Sequence, residues 1–274
     1  MIHKEFTFKN RATDFYGQTW QSEQPKASVI IVHGMGEHSN RYQHLAEMLV
    51  AHNLTVTSYD NFGHGKTSGK RGHNPSFDAV LDTLDIVIEK TKTLHPEIPI
   101  FLYGHSMGGN VVINYVLRRH KYSIHGVIAS SPFLKLAFKP PAWKLFLGKI
   151  IQQIAPSLTL GNELDPNHIS RDPQQVKNYI NDPLVHDKVS PNFSLTFIET
   201  GTWAIENAGT LKTPMYLFHG TADKIIDVNG TIKFSERTTK ASLKLIEGGY
   251  HELHNDLCKD EILDNIVKWF ESQL

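Results

Sequence analysis

Two histidines stand behind paired glycines in GGYHELHND, residues 248–256, and offer either a metal-ligand pair or a general base. Histidine titrates nearest to neutral pH, which suits it to moving protons. The metal alternative fails on spacing. HELH resembles H-E-x-x-H, but position 255 is Asn, so the second ligand is missing. A base needs a nucleophile to activate, and GHSMG at residues 104–108 fits G-x-S-x-G. Serine is a weak nucleophile until a base takes its proton. In a tight strand–turn–helix elbow, side chains at 104 and 108 would clash with neighbouring backbone, and Ser106 would sit in a strained conformation above the positive end of the next helix. The flanks suit this: IPIFLYG reads as a buried strand and GGNVVINYVLRRH as an apolar-periodic helix.

An elbow of this kind expects the chain order serine, acid, histidine. The GGYHELHND loop follows the last strand, with His251 nearer the strand end and His254 one helical turn further on. For the acid, Asp223 in YLFHGTADKIID follows a buried strand by a short turn. Asp227 is the alternative, at the expected cap of the next helix. Asp165, Asp172, Asp182 and Asp187 lack a strand before them. An oxyanion formed during acyl transfer needs backbone N–H donors. The elbow supplies that of Met107, and the loop after SVIIVHG supplies that of Met35.

Alternating elements must hold these residues. KEFTFKN and DFYGQTW read as an antiparallel hairpin. SVIIVHG, LTVTSYD, IPIFLYG and IHGVIASS then alternate with helical patterns, which implies right-handed βαβ units, a mostly parallel twisted sheet and helices on both faces. The alternation stops near Pro132, prolines recur, and it resumes with PMYLFHG and SLKLIEG. The expected organisation is a core of residues 1–131 and 206–274 with a helical cap inserted at 132–205. In open α/β sheets ligands bind beyond the carboxyl ends of the strands. Met35, Ser106, Asp223 and His251 each follow such an end.

Composition narrows the function classes. Lys plus Arg and Asp plus Glu number 28 each, a balance that argues against a nucleic-acid partner. GHGKTSGK ends like a phosphate loop, but the required earlier glycine falls on Asp60, and Ser68 breaks a dinucleotide pattern. No cofactor and no metal is expected. The single cysteine, Cys258, excludes an internal disulfide and suits a reducing cytoplasm. MIHKEFTFKN lacks the apolar run of a secretion signal, and no apolar stretch is long enough to span a bilayer. The expected location is therefore cytoplasmic.

HGMGEHSNRY, DNFGHGKTSGKRG, GHSMGGN, HGTADK, GGYHELH and SRDPQQVKNYINDPL occur in an order that resembles the monoacylglycerol lipase and lysophospholipase group of α/β-hydrolases, relatives of the S33 serine aminopeptidases. The resemblance implies a serine esterase with Ser106, Asp223 and His251 as triad and the Met35 and Met107 amides as oxyanion hole. It further implies that Glu37, Arg41, Tyr179 and His254 surround a glycerol head group. The implied reaction is hydrolysis of a single-chain lipid ester, foremost monoacylglycerol to glycerol and fatty acid. Lysophospholipase, carboxylesterase and S33-type peptidase are alternatives, and a non-catalytic binding protein of the same fold is a third class. Met35 replaces a commoner small residue and would narrow the pocket. The insertion would be a lid. In PAWKLFLGKIIQQIAP, Trp143, Leu147, Ile150 and Ile154 share a helical face, which would lie either on a lipid surface or against the core.

Overall fold

The computed structural model describes residues 1–274. The amino-terminal hairpin forms as expected, β1 (Ile2–Asn10) pairing antiparallel with β2 (Thr13–Gln21) from Ile2↔Gln21 to Asn10↔Thr13. Next come β3 (Ala27–Val32), α1 (Gln43–Ala51), β4 (Leu54–Tyr59), α2 (Phe77–Leu94), β5 (Ile100–His105), α3 (Met107–Arg118) and β6 (Gly126–Ser130). The insertion holds α4 (Ala142–Ile154), β7 (Leu160–Gly161), α5 (Pro173–Asn181), β8 (Lys188–Val189) and α6 (Pro191–Asn207). The chain closes with β9 (Met215–Gly220), α7 (Val228–Ser235), β10 (Ala241–Ile246) and α8 (Lys259–Gln273). The main sheet has the order β1-β2-β4-β3-β5-β6-β9-β10 and is parallel from β4 onward.

Every residue of β3, β5 and β6 is buried, because helices cover both faces of the sheet. The two-residue period of a strand divides the core. Ile30 and Val32 of β3 pack with α2, α3 and α7, while Val29 and Ile31 pack with α1 and α8 on the other face. Each such buried side chain contributes roughly 1.5–3 kcal/mol. α2 shows how local sequence sets an element. The Ser76 hydroxyl accepts the Ala79 N–H at its start, and Val80, Leu84, Val87 and Ile88 are buried as their spacing predicts.

The insertion differs in two respects from its sequence pattern. It contains the antiparallel pair β7–β8, two residues a strand and too short to leave a periodicity. Its prolines also start helices rather than merely breaking strands. Pro173 and Pro191 open α5 and α6 behind the capping side chains of Asp172 and Ser190. The position between residues 205 and 206 falls inside α6, which is anchored to α3: the Thr200 hydroxyl donates to Asn110 Oδ1 at 3.1 Å.

Candidate active site

Ser106 joins β5 to α3 with φ 52° and ψ −113°, a conformation that L-residues avoid. Such a residue costs about 1–3 kcal/mol and persists only where its surroundings enforce it. Here the Ser106 N–H donates to Ser130 O at 2.9 Å, and its carbonyl accepts from Phe133 N at 2.8 Å. The glycines are steric requirements. A β-carbon at position 104 would lie 2.3 Å from Gly108 O, and one at 108 would lie 1.9 Å from Val32 O.

The loop after β10 brings His251 to the same place. Its Nδ1 is 2.7 Å from Asp223 Oδ2, which holds the proton on Nδ1 and leaves Nε2 as the acceptor. Asp223 sits on the loop after β9. Its Oδ1 accepts the N–H groups of Ile225 at 2.8 Å and Ile226 at 3.0 Å, while Oδ2 also meets His219 Nε2 at 3.2 Å. Burial pushes the Asp223 carboxyl up, but the His251 charge and the bonds from His219 and His251 outweigh it and hold the group ionised well below the usual range. Burial likewise pushes His251 down, and the Asp223 charge and hydrogen bond more than reverse this, leaving its pKa raised. Asp227 does different work. It caps α7 by accepting the Asn229 N–H at 2.9 Å, and it pairs with Lys135. Ser106 and His251 line one cavity without a hydrogen bond between them, a bond that commonly closes only with substrate present.

Met107 is the first residue of α3, where N–H groups have no partner inside the helix. Met35 lies in the loop after β3. There the Glu37 carboxylate takes the Gly34 N–H at 2.6 Å, and Gly36, at φ 78°, accepts the His186 N–H of the insertion at 2.9 Å. Only glycine fits at 36, since a β-carbon would lie 2.5 Å from His186 O.

The four expected head-group residues divide. Glu37 and Tyr179 line the cavity, whereas Arg41 and His254 do not. Arg41 instead donates Nη1 to Glu37 at 2.7 Å and both Nη atoms to Glu252 at 2.8 and 2.7 Å. The Tyr42 hydroxyl occupies the other Glu37 oxygen at 2.6 Å. His254 is fully buried, with its ring stacked 4.9 Å from that of Tyr42. A short 3-10 turn over Leu253–Asn255 swings the ring inward, where burial pushes its pKa down to about 3 and keeps it neutral. Arg41 has thus spent its donors on carboxylates, and the His254 ring is turned into the core.

His33, His64, His105 and His219 follow strand ends and read as hydrogen-bonding scaffold around the site, and His219 meets Asp223 as such. Glu252 escaped the sequence reading, where it is visible only as a letter in HELH; its place next to His251 is the one signal that could have marked it.

Above Ser106 the cavity opens to about 900 Å³ under the insertion. Met35, Phe133, Leu136, Trp143 and Ile198 are among its apolar walls.

The family model described as serine aminopeptidase, S33, matches residues 23–258. The chain belongs to this family. An abhydrolase domain-containing protein of Dictyostelium discoideum is 34% identical over 94% of this chain, which spans 28% of that relative's length. The monoacylglycerol lipase of Mycolicibacterium smegmatis is 30% identical over 91% of this chain and 90% of its own. The solved monoacylglycerol lipase of Paleococcus ferrophilus superposes with a TM-score of 0.88 at 37% identity, covering 95% of this chain and 99% of that one. This S33 family member is an α/β-hydrolase in fold, a mostly parallel sheet with helices on both faces that superposes across nearly the whole chain.

Proposed function

We propose that this chain hydrolyses esters of single-chain lipids, monoacylglycerol first, through an acyl-serine intermediate. The observation that carries the reading is the cavity of about 900 Å³, mostly apolar, whose lining includes Ser106, His251 and Met35. An acyl chain can be desolvated there while its carbonyl reaches the hydroxyl. The names of the M. smegmatis and P. ferrophilus relatives support the choice of a glycerol ester.

In this reading the Ser106 oxygen attacks the ester carbonyl and His251 Nε2 takes the hydroxyl proton. The Met35 and Met107 N–H groups donate to the resulting oxyanion. Asp223 stays ionised and stabilises the imidazolium. Collapse breaks the ester bond, and His251 returns the proton to the departing glycerol oxygen. Water, deprotonated by the same ring, then attacks the acyl-serine, frees the fatty acid and restores the hydroxyl. Tyr179 retains its head-group assignment: it lines the cavity, and its hydroxyl approaches Gly36 of the oxyanion loop. Comparing monooleoylglycerol, lysophosphatidylcholine and a proline anilide tests the substrate class. The glycerol ester is expected to have the highest kcat/KM, and turnover of the anilide alone would refute the reading.

No helix is long and apolar enough to cross a membrane. Trp143 and Leu147 of α4 line the cavity, but the helix also presents an apolar outer face, with Phe146 68%, Ile150 41% and Ile154 77% exposed and Lys149 among them. No residue of α4 is buried. A helix of this kind lies in a lipid interface with its apolar side down, so we assign α4 as a peripheral contact at the cavity roof. Phe146→Glu with Ile154→Glu is expected to lower sedimentation with liposomes and activity on lipid dispersions, and to spare turnover of a water-soluble ester, since neither residue lines the cavity. Unchanged sedimentation would remove the assignment.

A further inference from the structure

The geometry points to the buried Glu37–Arg41–Glu252 network as a strut that sets the oxyanion loop against the loop of the catalytic base, making these three positioning residues rather than head-group ligands. The inference rests on the acyl-transfer reading above.

The strut joins two loops far apart in sequence. On one side Glu37 Oε1 accepts the Gly34 N–H at 2.6 Å, one residue before the Met35 amide. On the other, Glu252 directly follows His251 and takes both guanidinium arms of Arg41. Arg41 Nη1 is shared, 2.7 Å from Glu37 and 2.8 Å from Glu252. A planar fork held at three points transmits position better than a single contact could. The side chains of Glu37, Arg41 and Glu252 are only 2%, 9% and 4% exposed, so water does not loosen the bonds. Further bonds brace both ends. Tyr42 OH holds Glu37 at 2.6 Å, Asn255 Nδ2 holds Glu252 at 2.9 Å, and the Glu252 N–H is tied to Ile169 O at 2.7 Å. The Arg41 guanidinium also covers the Tyr179 ring at 4.8 Å, so the wall of the cavity closest to the oxyanion loop rests on the strut.

The acyl-transfer step needs the oxyanion donor and the base in fixed relation to one carbonyl. Small misplacements there cost large factors in rate. The network also has two carboxylates for one guanidinium. With Asp223, that excess favours the imidazolium that forms on His251 during attack, while the neighbouring rings of His105 and His254, kept neutral by burial, add no opposing charge.

A head-group ligand and a strut predict different kinetics. Arg41→Lys keeps the charge and loses the fork. For a strut, kcat falls about tenfold to a hundredfold on both 4-nitrophenyl acetate and monooleoylglycerol, by the same factor, with KM nearly unchanged. Glu252→Gln removes a carboxylate that raises the His251 pKa, so the acid limb of its kcat/KM profile on 4-nitrophenyl acetate moves to lower pH. Thermal melts show that each variant is folded at the assay temperature. A loss confined to monooleoylglycerol and expressed in KM would overturn the strut in favour of a head-group contact. Unchanged kcat on both esters in a folded Arg41→Lys variant would reduce the network to fold stability alone. Failure of the underlying reading is separate: wild-type protein would then resist a fluorophosphonate probe.

Discussion

Ser106→Ala lowers kcat on a 4-nitrophenyl ester by about 10⁶-fold and abolishes labelling by a fluorophosphonate, the expected result if this hydroxyl forms the acyl-enzyme. What activity remains comes from cavity binding and the oxyanion amides, which the substitution leaves in place. The variant should fold normally. Alanine carries a β-carbon like serine, so the strain at φ 52° is neither added nor relieved, and the Ser106 side chain makes no bond that the fold requires. A melting temperature close to that of the wild type, together with lost turnover, separates chemistry from folding. Retained turnover in a folded variant would remove Ser106 from the mechanism.

The second large effect divides two aspartates four residues apart. Asp223→Asn is expected to lower kcat by about 10⁴-fold. The Ile225 and Ile226 N–H groups hold one side-chain position as an acceptor, so the amide oxygen turns there and its NH₂ faces His251 and His219. His251 must then accept at Nδ1 and carry its proton on Nε2. In that tautomer it cannot take a proton from Ser106. Asp227→Asn should leave kcat nearly untouched, because Asn caps a helix about as well as Asp and only the exposed Lys135 pair is lost. Equal losses in the two variants, measured on one ester, would refute the assignment.

Residue patterns carried the elbow, the order serine–acid–histidine and the element sequence. They did so because these are local properties. A two-residue period in β3 and a 3.6-residue period in α2 are written in consecutive letters, and Gly104 and Gly108 mark the two positions of the turn where no β-carbon fits. The same locality limits what the sequence says of His254. At the level of residue type it equals His251, three positions before it. Only the turn at Leu253–Asn255 sends one ring to Asp223 and the other into the core beside Tyr42.

Sequence alone thus determined that this chain builds a mostly parallel sheet with a serine elbow and a histidine and an aspartate after later strand ends. The tertiary structure decided which aspartate meets His251, where Arg41 spends its donors, and which apolar residues of α4 line the cavity and which stay exposed. These depend on residues brought together from far along the chain, such as Arg41 and Glu252, 211 positions apart. No periodicity records such a pairing. It exists only once the sheet has placed both loops at the carboxyl ends of its parallel strands and burial has left the guanidinium no water to bond instead.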